Sequence, residues 1–147
     1  MTSDEVLARE SVRIHADPAT RDQAMQEATD LLVAAGVVTP AYYEAMRERE
    51  RSVSTFMGSE LAIPHGTIET MAAVHGTGLS FVRYDSGVDW DGHRVRFVVG
   101  IAGADGGHLA LLGRIADLFS DADGVARLKA AASVEELFAL VTGEPAS

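Results

Sequence analysis

Arg96-Phe97-Val98-Val99-Gly100-Ile101-Ala102 is apolar without a break after Arg96 and rich in β-branched residues. A short run of that make-up, with no polar alternation, fits a strand buried on both faces. Such a strand lies inside a sheet that is covered on each side, and the rest of the chain supplies helices for the cover. Upstream, Leu79 and Phe81 with Ser80 and Val82 read as a second strand. Asp85-Ser86-Gly87 and Asp91-Gly92 read as turns on either side of Val88-Asp89-Trp90. Ser11-Val12-Arg13-Ile14 alternates polar and apolar and suggests a further short strand.

The helical signals lie between and beyond these strands. Thr20-x-x-Gln23 is a capping box, after which Ala24, Ala28, Leu31, Leu32 and Ala35 recur at helical spacing and Gly36 ends the helix. Thr39-Pro40 predicts a restart, with Thr39 as N-cap, Pro40 at the first helical position and an end near Arg51. Its solvated face carries Glu44, Arg47, Glu48, Arg49, Glu50 and Arg51. A glycine-rich loop from Gly103 to Gly107 precedes a helix over His108 to Phe119, with Leu109, Leu112, Ile115, Ala116 and Phe119 on one stripe. Asp123 caps a short helix through Lys129, and Ser133-x-x-Glu136 opens a last one that Gly143 and Pro145 stop. The expected architecture is therefore α/β. It is a single domain over residues 1–147, with its core at about 11–143 and a mixed sheet of about five strands sandwiched between helices.

Bulk properties narrow the function. The 147 residues contain no cysteine, which removes disulfides, thiol nucleophiles and thiolate-held metals from the possibilities. The net charge of −10, with Lys129 as the one lysine, repels phosphate backbones, so nucleic acid is not an expected partner. No apolar run reaches the ~18 residues of a membrane span. The acidic start, Met1-Thr2-Ser3-Asp4-Glu5, is unlike a signal peptide, so a cytoplasmic location is expected. Neither G-x-x-x-x-G-K-[ST] nor G-x-G-x-x-G before a helix occurs, and there is no G-x-S-x-G or H-E-x-x-H.

The groups that titrate near neutrality are His15, His65, His75, His93 and His108. Leu61-Ala62-Ile63-Pro64-His65-Gly66 delivers one of them at the end of a short extended run. Gly66 has no Cβ, so a bulky anion can approach the backbone beside the imidazole. His108 follows Gly106-Gly107 at a predicted helix start, where free amides and the helix dipole favour an anion. Arg49 offers a permanent charge and several donors to a phosphoryl group. His15, His75 and His93 have no supporting context and read as surface or structural residues. No fixed ligand spacing joins His75, His93, His108 and Asp91 into a metal site.

These residues fit a longer pattern. An acidic or amide residue, six variable positions, an apolar residue and Gly or Ala lead through two more positions to apolar-Ala-apolar-Pro-His-Gly. Here that is Glu50, residues 51–56, Met57, Gly58, Ser59-Glu60 and Leu61-Ala62-Ile63-Pro64-His65-Gly66. In this the chain resembles the enzyme IIA component of the phosphoenolpyruvate-dependent sugar phosphotransferase system, type 2, from about Thr20 to Gly143. Met46-Arg47-Glu48-Arg49-Glu50 and Thr55-Phe56-Met57-Gly58 are similar to the mannitol type. The resemblance implies a phosphotransferase in which His65 carries the phosphoryl group on a ring nitrogen. It also implies that His108 stabilises that group and that Arg49 neutralises its charge. The implied donor is the small histidine carrier protein HPr, and the acceptor is a cysteine of an enzyme IIB component. The enzyme IIC permease is involved only indirectly. No cofactor, no metal and no membrane insertion are implied.

The implied role is in uptake and phosphorylation of mannitol or a related hexitol. Without an attached B or C domain, the chain would act as a free-standing subunit. The alternative is a nitrogen-branch regulatory relative whose phosphorylation controls partner binding; a histidine-based metal hydrolase is a third. One position departs from the mannitol type: Gly107 stands where an acidic residue often precedes the second histidine.

Overall fold

The structure, a computed structural model, describes residues 6–66, 74–103 and 109–143. In chain order the elements are β1 (Val12–His15), β2 (Ala19–Thr20), α1 (Arg21–Ala34), α2 (Tyr42–Ser52), β3 (Phe56–Gly58), β4 (Leu61–Ala62), β5 (Gly78–Trp90), β6 (His93–Ala102), α3 (Leu109–Phe119), α4 (Ala122–Ala130) and α5 (Val134–Thr142). The strands form one mixed sheet in the order β1-β5-β6-β4-β3, with β2 also on β5. β5 and β6 pair antiparallel as its centre, while β1 and β2 run parallel to β5 and β4 runs parallel to β6. The sixth strand, beyond the five or so expected, is the two-residue β2.

Alternation along β5 and β6 divides the core in two. Val82, Tyr84, Val88, Trp90 and Val98 pack against Ala24, Met25, Ala28 and Leu32 of α1 and Tyr42 and Met46 of α2. Leu79, Phe81, Phe97 and Val99 face the other way, onto Leu111, Ile115, Phe119, Leu128, Leu137 and Val141 of α3 to α5. Full burial of each such large side chain contributes about 1.5–3 kcal/mol. The capping box forms as expected: the Thr20 hydroxyl accepts from Gln23 N–H and the Gln23 side chain accepts from Thr20 N–H. α1 lies close over β6 because Gly100 has no side chain. A Cβ there would stand 2.6 Å from Ser80 Oγ and 2.9 Å from Ala28 Cβ.

Several local expectations need correction. Asp85-Ser86-Gly87 is not a turn; β5 runs through it with a bulge between Arg83 and Val88, Gly87 taking φ +83°. Bulges and turns both use a left-handed glycine, so this residue pattern does not separate them. Thr39 and Pro40 form a turn that accepts from Tyr42 and Tyr43 N–H, and α2 starts two residues later than its cap pattern suggests. On α3 the buried stripe is Leu111, Ile115 and Phe119, whereas Leu109 and Ala116 are exposed. Asp121, not Asp123, caps α4. Ser133 caps α5, but the Glu136 carboxylate reaches Ala132 N–H instead of the cap residue's own amide. Glu50, expected on the solvated face of α2, is only 5% exposed.

Candidate functional site

The site is built at the carboxyl end of β4, where it lies beside the carboxyl end of β6. Ligands of open α/β sheets bind at such strand ends. The hairpin feeding β4 turns through Gly58, Ser59 and Glu60 at φ +88°, +52° and +65°. Left-handed geometry is costly for Ser59 and Glu60. Contacts to Glu60 offset that cost: its carboxylate meets Arg96 at 2.8 Å and Lys129 at 2.5 Å, and its carbonyl accepts from Arg96 and Phe97 N–H.

Beyond β4 the backbone is anchored at successive residues. Ile63 N–H donates to Thr55 C=O at 3.1 Å. Pro64 has no N–H, but its carbonyl accepts from Ile101 N–H at 3.1 Å, and His65 forms a parallel bridge with Ile101. Gly66 N–H donates to the Tyr42 hydroxyl at 2.9 Å, and that hydroxyl donates to Ile101 C=O at 2.7 Å. His65 itself is half-buried, with Nδ1 2.8 Å from Ile63 C=O. A carbonyl can only accept, so Nδ1 carries a proton, and the tautomer this selects has its lone pair at Nε2. Nε2 has no hydrogen-bond partner among the described residues.

Arg49 lies in the last turn of α2, where a cation complements the helix dipole. One guanidinium N–H donates to Val53 C=O at 2.6 Å, and the others have no acceptor among the described residues. Arg49 and His65 share no hydrogen bond, but they are tied to one strip of chain. Arg49 holds Val53, Thr55 holds Ile63, and Ile63 orients the His65 ring. The buried Glu50 carboxylate fixes that strip: it accepts from Thr55 N–H at 3.0 Å, from the Thr55 hydroxyl at 2.5 Å and from the Trp90 indole at 2.9 Å. Burial pushes the Glu50 carboxyl up, but the hydrogen bonds from Thr55, Ser54 and Trp90 outweigh it and hold the group below its ordinary value.

His108 and most of the Gly103–Gly107 loop lie outside the described residues. His93 stacks on Phe56 with ring centroids 4.3 Å apart, and Asp91 pairs with Arg21, so these two are engaged away from His65. The sequence reading did not single out Tyr42 or the buried role of Glu50. Two signals bore on them: a tyrosine or tryptophan hydroxyl or N–H that is buried needs a partner, and Trp90 needs an acceptor.

A half-buried imidazole at a strand end whose Nε2 has no partner among the described residues, with a guanidinium at the end of the preceding helix, has the chemistry to receive a small anion. The chain belongs to the family described as phosphoenolpyruvate-dependent sugar phosphotransferase system, EIIA 2, whose model matches residues 5–143. The mannitol-specific phosphotransferase enzyme IIA component of Staphylococcus aureus is 45% identical over 133 residues, covering 90% of this chain and 92% of that one. Its counterpart in Halalkalibacterium halodurans is 41% identical over 139 residues, covering 95% and 96%. The crystal structure of IIA mannitol from Escherichia coli is 32% identical, with a TM-score of 0.78 over 90% of this chain and 96% of that one. A complex of enzyme IIAMTL with phosphorylated enzyme IIBMTL from Escherichia coli matches with a TM-score of 0.80 at 31% identity, over 92% and 96%. Among the described residues no helix is long and apolar enough to cross a membrane.

Proposed function

We propose that this chain is a cytoplasmic phosphoryl carrier that takes a phosphoryl group from phospho-HPr onto Nε2 of His65. It then passes the group to a cysteine of an enzyme IIB component, in support of mannitol or related hexitol uptake. The observation that carries this reading is the Nδ1–Ile63 carbonyl bond, which leaves Nε2 as the nucleophilic nitrogen. In the first step an N–P bond forms at Nε2 as the donor's P–N bond breaks. In the second, the thiolate of the acceptor takes the group and His65 regains its lone pair. Phosphoryl transfer asks mainly for in-line positioning and charge stabilisation. Arg49 supplies charge from its unused N–H groups, and His108 supplies a further donor.

Three large apolar side chains are exposed among the described residues: Val53 (64%), Met57 (61%) and Leu109 (63%). Val53 and Met57 lie in the chain between Arg49 and His65, and Leu109 follows His108. Exposed apolar side chains this near in sequence to the proposed site residues suit a surface that meets protein partners. The mannitol assignment is supported by the relatives' specificity and by the stretch before the site.

The test is incubation with phosphoenolpyruvate, enzyme I and HPr, followed by mass spectrometry, then addition of a mannitol-type IIB domain. The expected result is one adduct on His65, absent in His65→Ala, which discharges to a IIB cysteine. Arg49→Ala and His108→Ala accept label more slowly. A His65→Ala protein that labels normally ends the assignment. Label that stays on His65 in the presence of IIB points instead to a regulatory role.

A further inference from the structure

The hydroxyl of Tyr42 occupies an unusual place in the β4–β6 ladder. His65 and Ile101 form a parallel bridge, and one of its bonds, Ile101 N–H to Pro64 C=O, is direct at 3.1 Å. The corresponding bond on the other side of His65 would run from Gly66 N–H to Ile101 C=O. The Tyr42 hydroxyl stands between those two groups, accepting from Gly66 N–H at 2.9 Å and donating to Ile101 C=O at 2.7 Å. Residues 64 and 66 are thus both held to Ile101, one directly and one through a phenol from the first turn of α2. Tyr42 as a residue is only 4% exposed, so the phenol sits largely away from bulk water.

We propose that Tyr42 is a positioning residue for phosphoryl transfer: its hydroxyl holds Gly66 one oxygen's width off β6 and so fixes where the His65 ring points. This rests on the reading of His65 as the phosphoryl carrier. Three features support it. Tyr42 is the only side chain among the described residues that hydrogen-bonds Gly66. Tyr42 and Arg49 both belong to α2, so the helix that holds the Gly66 backbone also carries the guanidinium assigned to the phosphoryl group. Burial pushes the Tyr42 phenol up, against the Gly66 N–H that draws it down, and the net rise keeps the hydroxyl protonated as the donor Ile101 requires. The amide of Gly66 is also committed to the phenol, which directs an incoming phosphoryl group to Arg49 and other donors.

Tyr42→Phe removes one oxygen and leaves the ring in the core. Gly66 N–H and Ile101 C=O then either close directly, pulling Gly66 toward β6, or stay unpaired. Misplacement of about 1 Å costs transfer reactions up to roughly a hundredfold. The expected outcome is a fall of about ten- to hundredfold in the maximal rate of His65 labelling, with the KM for phospho-HPr within about twofold of wild type.

Val12→Ala, in β1 at the far edge of the sheet, serves as a control for lost stability. An equal slowing in Val12→Ala overturns the proposal, as does wild-type labelling by Tyr42→Phe. Hydrogen exchange on the wild-type protein gives a readout that does not depend on the variant folding. The Gly66 amide is expected to be protected, and exchange at the rate of an open amide overturns the proposal. Absence of any His65 adduct in the wild-type protein would instead defeat the carrier reading itself.

Discussion

His15 and His65 both stand at the carboxyl ends of strands that run parallel to a central strand, one on each flank of the sheet. Their rings are held in opposite ways. His15 uses Nε2, the nitrogen far from the backbone, on Glu27 Oε2 at 2.6 Å, and the other Glu27 oxygen takes the Tyr84 hydroxyl at 2.5 Å. Burial first, and then Glu27, push the Tyr84 phenol far above its ordinary value, so it stays a donor to that carboxylate. His65 uses Nδ1 on the carbonyl of Ile63, two residues back. The near nitrogen is consumed and the far one stays open. His15 has the carboxylate partner that is often sought beside a reactive histidine, yet its reach is spent on it. In the function proposed above, the nucleophile is the ring that is held from behind by its own backbone.

The sharpest way to break this contrast is to remove each ring in turn. His65→Gln is expected to take phosphoryl labelling below detection, because the lone pair of the glutamine amide nitrogen is delocalised into its carbonyl and is not nucleophilic. His15→Gln is expected to keep at least half the wild-type rate in the same assay. A reversal, with His15→Gln silent and His65→Gln active, would overturn the assignment of roles.

The second test concerns what holds each region in place. On the His65 side that is Glu50, whose buried carboxylate gathers Thr55 and Trp90. Glutamine can accept at only one of its two ends, so Glu50→Gln leaves a buried donor without its acceptor. That costs about 1–3 kcal/mol, read as a shift in the urea midpoint at unchanged slope. Labelling should slow as well, since Thr55 is what Ile63 N–H is bound to.

The pH dependence has a fixed sign. A carboxyl whose folded pKa is lowered contributes stability in full above its unfolded value, near 4.5, and loses it as pH falls through the lower folded value. Glu50→Gln should therefore differ most from wild type near neutrality, and the gap should narrow below pH 4.5. A gap that stays constant down to acid pH would show that the carboxylate's charge contributes nothing.

The same contrast explains which parts of the molecule were legible in the sequence. β6 announces itself by an unbroken β-branched run, and α1 by a capping box that forms as written. Pro64-His65-Gly66 marks the candidate ring because both of its cues are local: a fixed φ at Pro64 and a bare backbone at Gly66. The supports of that ring are not local. Glu50 sits in a run of charges that reads as solvated surface, and its burial depends on a tryptophan forty residues on. Tyr42 bonds Ile101 across fifty-nine residues, which no periodicity of α2 reveals. On α3 the buried stripe is Leu111, Ile115 and Phe119 while Leu109 is exposed, and helical spacing alone does not choose between those neighbouring faces.

The smallest effect is expected on the His15 side, and it sharpens the comparison most. Glu27→Gln keeps one acceptor oxygen for two donors, His15 Nε2–H and Tyr84 O–H, and turns an NH2 toward one of them. The His15 side chain is 41% exposed and that of Glu27 25%, so water can relieve part of the mismatch. Exposed pairs of this kind contribute about 0–1 kcal/mol, and the Tyr84 bond, being better shielded, adds about 1 kcal/mol. The expected loss is therefore about 1 kcal/mol in urea denaturation, with His65 labelling unchanged. Unchanged labelling matters as much as the small loss. The carboxylate ties β1, α1 and β5 together on one flank, while the backbone around His65 is braced from α2, β4 and β6 on the other. A Glu27→Gln protein that folds normally but labels several-fold more slowly would mean that the two flanks communicate through α1, and the His65 cradle could no longer be treated as self-contained.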